Sequence, residues 1–344
     1  MNTYRKILIC LLIVFPLLLS WGPPLVSSQS SLPENKVSAG VESQAQHLMA
    51  DLKKQGFEVS QGYFRLYTND DCPYSFAEMH SCYGNNPAAP YVTFSVPPWP
   101  KEYVDPATDL ALGPNKEGYS TSYRFDPNEA IVILGLLPPP ADYFGLQTYL
   151  FTRKDKFDTD STPYKFFSNL FPNMLDTFFK VVPQNQKRVV SWSSLSNSIN
   201  NVVIERQSGA AFDQQRVFII TPDQNMDKAV RNALDKLSVK EEDIFTEAIP
   251  SNMRTGLNKT ADDFFTLIRY AMPDDGGGEG TPSDTWRKDL PLVVFRVRDA
   301  HQKRYYVCRL DSKWVDVNGE IYRKAHFGKG LSCSIDNSNS VITS

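Results

Sequence analysis

The chain has 344 residues, a composition within the globular range and a net charge of −3. That length supports one large domain or two ordinary ones around a sizeable buried core. The mild acidity, with no basic stripe or block, removes electrostatic support for nucleic acid or an anionic membrane surface as a partner.

Residues 1–28 read as a secretory signal peptide. Arg5 and Lys6 give a positive start, 7–21 is an apolar run, and Val26 and Ser28 have small-residue cleavage spacing. The run is shorter than the ~20 apolar residues of a membrane-spanning helix. It also contains Pro16 and stops at Gly22, Pro23 and Pro24. A retained anchor is the alternative. The expectation is an exported protein, secreted or periplasmic, with no membrane span after cleavage. Loss of the leader removes two basic residues and no acidic one, leaving the mature chain more acidic.

Export sets how the cysteines are read. Cys10 lies in the leader, and Cys72, Cys82, Cys308 and Cys333 remain. An even number of thiols in an oxidising compartment reads as disulfides. Three pairings are open, and proximity favours Cys72 with Cys82 and Cys308 with Cys333. Each closure would stabilise the fold by roughly 2–4 kcal/mol. Structural zinc takes cysteines two to four residues apart, closer than Cys72 and Cys82, and the nearest imidazole is His80. No histidines pair at i, i+4. Neither a metal nor a cofactor is expected, and 72–82 reads as a stapled loop.

Residues 29–40 are polar and read as disordered, and 41–190 as a mixed α+β region. Ala45, Leu48, Met49 and Leu52 recur at helical spacing, predicting an amphipathic helix over 41–54. "YFRLYT" and "YVTFSV" are strand-like. The Pro/Gly/Tyr-rich stretch 97–127 is a connection of the kind that is either functional or poorly ordered. "EAIVILGLL" suits a central strand covered on both faces. "YFGLQTYLFTR" alternates: Phe144, Leu146 and Leu150 point one way, and Tyr143, Gln147, Tyr149 and Arg153, with Phe151, the other. A helix over 166–180 carries an apolar stripe of Phe167, Leu170, Phe171, Met174, Leu175 and Phe178, broken at Pro172.

Residues 191–344 read as a βα unit plus a C-terminal antiparallel sheet, with the boundary placed within 183–198. The strand 216–220 runs into Thr221, Pro222 and Asp223, and Met226, Val230, Ala233, Leu234 and Leu237 follow on one helical face. No glycine-rich phosphate cradle occurs at that turn. "DDFFTLIRYAM" favours strand over helix. "LVVFRVR", "RYYVCRL" and "KWVDV" predict a meander, with a hairpin at Asn318 and Gly319 into "EIYRK". The expected fold class is α+β: a mixed sheet region with helices, then a C-terminal antiparallel β-meander, disulfide-stapled.

Candidate chemistry is sparse. Ser120 in "GYSTS" lacks the final glycine and leading strand of a nucleophile elbow. "DSKWVDVNGE" offers Trp314 where a calcium loop needs an oxygen ligand, and 274–284 reads as a solvated acidic loop. Arg296 and Arg298 share one face of their strand, read as a solvated sheet face. Asn258 in "NKT" is a glycosylation acceptor where the host has that machinery. The best ligand candidate is the face of Tyr143, Gln147, Tyr149 and Arg153, where rings and a guanidinium could hold a sugar or a small anion. A packed or wetted sheet surface is the competing reading. The expected function is non-catalytic binding of a small or carbohydrate-like ligand by an exported soluble protein. The alternatives are a secreted hydrolase using carboxylates dispersed in the chain, and a cell-envelope structural or interaction protein. Whether the chain is an enzyme is left open.

Overall fold

The computed structural model describes residues 39–82, 89–175, 179–195 and 199–299, and the backbone of three strands between 306 and 335. The N-terminal elements are α1 (Ala39–Lys54), β1 (Glu58–Gln61), β2 (Tyr63–Tyr67), α2 (Cys72–Met79) and β3 (Tyr91–Ser95). Then follow β4 (Glu129–Leu136), β5 (Ala141–Lys154), α3 (Thr162–Leu170), β6 (Val181–Val182), β7 (Asn185–Ser194) and β8 (Ile199–Asn200). After these come α4 (Asn201–Ser208), β9 (Gln215–Thr221), α5 (Gln224–Asp235), β10 (Ile244–Ala248), β11 (Asp263–Pro273), α6 (Pro282–Asp289) and β12 (Leu292–Arg298). The last strands are β13 (Tyr306–Leu310), β14 (Lys313–Val317) and β15 (Ser332–Ile335).

The class is α+β, in packed layers. One sheet has the order β1-β12-β4-β9-β10, antiparallel except for the parallel β9–β10 pair. A second, antiparallel sheet has the order β2-β3-β11-β5-β7-β6, with β8 also on β5. Both draw strands from either side of residue 190. The run "EAIVIL" forms β4, and its side chains divide between the two faces. Ala130, Val132 and Leu134 meet Leu48, Leu52, Val230 and Leu234 of α1 and α5. Ile131 and Ile133 join Phe144, Leu146, Leu150, Phe218 and Val294 between the sheets. Alternation thus sorts β5 as the sequence predicts as far as Leu150, and Phe144, Leu146 and Leu150 lie in the inter-sheet core.

The βα unit is present too. Asp223 caps α5 by accepting a hydrogen bond from the Asn225 N–H, and Met226, Val230, Ala233 and Leu234 are buried. The chain then returns as β10, the edge of its sheet. The Gln207 side chain of α4 donates to the carbonyls of Glu242 and Ile244 at 3.1 and 3.0 Å, and Ser208 Oγ also reaches Glu242.

Several expectations change. The first helix begins at Ala39, inside the segment expected to be polar and unstructured. Residues 72–79 form a helix where a stapled loop is expected. "DDFFTLIRYAM", by contrast, is a strand as expected and supplies the long β11. "LVVFRVR" does not start a meander: β12 is inserted between β1 and β4. A separate three-stranded antiparallel sheet has the order β14-β13-β15. The Asn318–Gly319 hairpin lies outside the described residues. The apolar helix starts early, capped by Ser161, and ends before Pro172. Of its stripe, Leu170, Phe171 and Met174 are exposed, as is the neighbouring Phe166. Its rings pack largely on one another, Phe166 and Phe171 lying 6.1 Å apart.

The reading of Arg296 and Arg298 on a solvated face is also overturned, because β12 is internal and both its faces are covered. Arg296 has no exposure. Its Nε and Nη2 donate to Glu129, Nη1 to Glu102 Oε2 at 2.6 Å and the Pro97 carbonyl at 3.2 Å, and Nη2 also to the Arg124 carbonyl at 2.7 Å. Arg298 pairs with Glu58 at 2.6 Å and lies over the Trp99 ring at 4.3 Å.

Burial pushes the Glu129 carboxyl up to about 7, against the charge and hydrogen bonds of Arg296, with Glu102 adding repulsion. The folded chain therefore keeps this proton over a window, from pH 4.5 to about 7, in which an unfolded glutamate has lost it. Stability falls as pH rises through that window, by up to about 1.4 kcal/mol per unit from this group. Urea titrations across the window should show the fall, and Glu129→Gln should flatten it. Arg296→Met, which leaves two carboxyls without their cation, should cost about 3–5 kcal/mol, measured as a drop in the urea midpoint at unchanged slope.

Candidate functional site

The outer face of the second sheet carries the most site-like feature. Antiparallel register sets Tyr149 opposite Phe265, Gln147 opposite Leu267, Gly145 opposite Arg269 and Tyr143 opposite Ala271. With Tyr91 from β3 and Met272, these rows apart from the buried Phe265 line a groove of about 420 Å³. The Tyr149 and Phe265 rings stack with centroids 5.0 Å apart and planes within 5°. Burial raises the pKa of the Tyr149 hydroxyl, with the Tyr91 and Tyr143 phenols adding to the shift. It therefore stays protonated, able to donate and to accept. Gly145 has a steric reason to be glycine: a Cβ there would run into the Tyr143 hydroxyl. The missing side chain lets the Tyr143 ring lie over Gly145, the ladder partner of Arg269.

Tyr143, Gln147 and Tyr149 are thus brought together as the alternation predicts. Arg153 is not with them. A register irregularity between Leu150 and Thr152 interrupts the alternation. Beyond it the guanidinium is taken by buried Asp262, at 2.8 Å from Nε and 2.6 Å from Nη2. Arg153 is a structural cation, and Arg269 is the guanidinium of the groove. Its Nη1 donates to the Tyr91 hydroxyl at 3.1 Å, and it lies 5.4 Å from that ring's centroid. In "FFTLIRYAM" the alternate residues Phe265, Leu267, Arg269 and Ala271 form an apolar row interrupted by one cation. That is the signal available in the sequence. The missing information was that β11 lies between β3 and β5.

Beside the groove, α2 closes the same sheet face. Met79, with no exposure, packs with Phe151, Phe265 and Leu267, and half-buried Tyr91 and Tyr149 adjoin that cluster. Arg65 and Asp71, paired at 2.9 Å and both buried, hold the start of α2. Its end is held by the Cys72–Cys82 disulfide, with Cα atoms 5.0 Å apart, and by left-handed His80 at φ 52°. Lys180 Nζ donates to the Met79 carbonyl. The two cysteines are a covalent clip, as proximity suggests, here on a helix.

A larger groove of about 540 Å³ lies between α4 and β10, lined by Val203, Gln207, Arg231, Glu241 and Thr246, among others. Its guanidinium is already committed: Arg231 bonds Asp227 at 3.0 Å, Thr246 at 2.7 Å, and Glu241. Remaining candidates are occupied locally. Ser120 is buried and donates to the Ser122 carbonyl. Asp275 caps its own loop through Gly277 and Ser283. Asn258 is exposed, and its Oδ1 accepts from the Thr260 N–H and hydroxyl. No protein-family model matches the chain, and no curated protein or solved structure is detectably similar to it.

Opening the clip should cost about 2–3 kcal/mol from loop entropy. Urea unfolding of the Cys72→Ser/Cys82→Ser double variant against the oxidised parent measures this. Because α2 lies against the groove's neighbours, the variant should also show earlier amide exchange in 72–80 than in β4.

Proposed function

We propose that the chain is an exported binding protein, and that the groove between β5 and β11 takes a small, carbohydrate-like ligand without transforming it. The observation that carries this reading is the convergence of Tyr91, Tyr143 and Tyr149, from two strands that are not neighbours, on one groove. Aromatic faces stack on the C–H faces of sugar rings, and phenol and amide groups supply the directional bonds that sugar hydroxyls need. The N-terminal leader is the ground for a secreted or periplasmic location, and Asn258 is the site of glycosylation in a host with that machinery.

The hydrolase reading lacks comparable support. Glu129 and Asp263, whose pKa values burial raises, are sealed in the interior and held by arginines. Glu78 and Asp109, raised likewise, line neither groove. An envelope interaction protein is the second reading, and the exposed row Phe166, Leu170, Phe171 and Met174 favours it. The C-terminal sheet adds a proposed second disulfide. Cys308 and Cys333 are ladder partners, and paired antiparallel residues have Cα spacings of about 4.5–5.5 Å, suited to a bridge.

Calorimetry of the mature oxidised protein against an oligosaccharide panel tests the binding reading. Tyr149→Ala should weaken the best ligand roughly tenfold, the worth of one ring stack. A panel without any binder removes the reading. Leu170→Asp/Phe171→Asp should leave sugar binding intact; if it alone abolishes retention in the envelope fraction, the interaction reading prevails. Peptide mapping without reduction should recover Cys308 linked to Cys333, and alkylation of both in the unreduced protein would exclude that bridge.

A further inference from the structure

Resting on that binding reading, we infer that the ligand of the groove is acidic: an oligosaccharide with a uronate carboxylate held by Arg269. Arginines on the other strands of the second sheet have aspartate partners. Arg65 is paired with Asp71, Arg153 with Asp262 and Arg188 with Asp263. Arg269 is exposed, and among the described residues no carboxylate lies within 4.0 Å of it. Its hydrogen bond to the Tyr91 hydroxyl uses Nη1. The remaining N–H groups form a planar fork matched to the two oxygens of a carboxylate, a match an ammonium lacks.

The surroundings fit the same ligand. Gly145 is the ladder partner of Arg269, and the Tyr143 ring takes the space that a side chain there would fill. The Tyr143 hydroxyl above Gly145 is a further hydrogen-bonding group at that end. The groove lining contains no aspartate or glutamate to repel an anion. A neutral ligand would leave an arginine amid tyrosines with its charge unmatched, whereas an acidic ligand neutralises it where rings exclude part of the water.

Spacing sets the size. Arg269 and Phe265 are four residues apart on β11, about 13 Å at the rise of a strand. Tyr149, the ladder partner of Phe265, and the Arg269 fork are therefore farther apart than the ends of one pyranose ring. A chain of sugars would lay one ring near Tyr149 and place its acid at the fork.

The test is calorimetry on the mature oxidised protein with trigalacturonate and with its methyl ester, which keeps the sugars and removes the charges. The acid should bind at least tenfold more tightly, the gap should shrink with added salt, and Arg269→Gln should abolish the gap by weakening the acid. Equal affinities for acid and ester, both weakened by Tyr149→Ala, would overturn the acidic assignment and keep the binding reading. Failure of both probes to bind would overturn the assignment and the sugar reading together. Tighter binding of benzoate than of trigalacturonate would replace the sugar by a small aromatic acid.

Discussion

Arg296 lies between the two sheets with all five of its N–H groups engaged, and through it the loop bearing Pro97, Glu102 and Arg124 is tied to β12 and β4. The connection continues outward. Arg124 Nε donates to Asp263 at 2.7 Å, Asp263 accepts from Thr152 at 2.5 Å, and Arg188 joins them at 2.9 Å. Those residues stand at one end of β5 and β11, the strands that carry the groove. A buried ion pair is weak evidence of net stability, since desolvation offsets much of its attraction. What such a chain does supply is position: apolar packing tolerates small slides, whereas charges with fixed donors and acceptors do not.

The groove follows from that registration together with one absent side chain. Alternation along β5 sends Tyr143, Gln147 and Tyr149 outward, and the pairing with β11 decides which residues oppose them. A one-residue slip would put core side chains in the groove and tyrosines in the core. The clip on α2 then holds Met79 against the neighbouring cluster, so that the sheet face is covered beside the groove and open within it.

What the sequence discloses follows the range of the forces involved. The doubly covered strand β4, the alternation of β5, the cap at Asp223 and the Cys72–Cys82 pairing depend on residues near one another in the chain, and all are legible there. The placement of β12 in the first sheet and the burial of Arg296 are not, because partners such as Glu102 and Glu129 lie far away in sequence. Arg153 was misassigned for a related reason. A pattern of alternate residues assumes an unbroken pleat, and the irregularity at Leu150–Thr152 breaks it. Arg269 could be seen as an odd charge in an apolar row, but its role required knowing which strand lies alongside. Tyr143, Gln147 and Tyr149 share one groove, and Arg153 lies apart from them on Asp262.

The edge strand β10 shows how the molecule handles a different hazard. A terminal strand normally offers a row of bare peptide groups that another copy can extend, and repeated extension gives fibres. Here Gln207 occupies the Ile244 carbonyl and, with Ser208, that of Glu242, just where an incoming strand would have to begin pairing. The turn of helix that presents these two side chains therefore closes that end of the edge to an incoming strand.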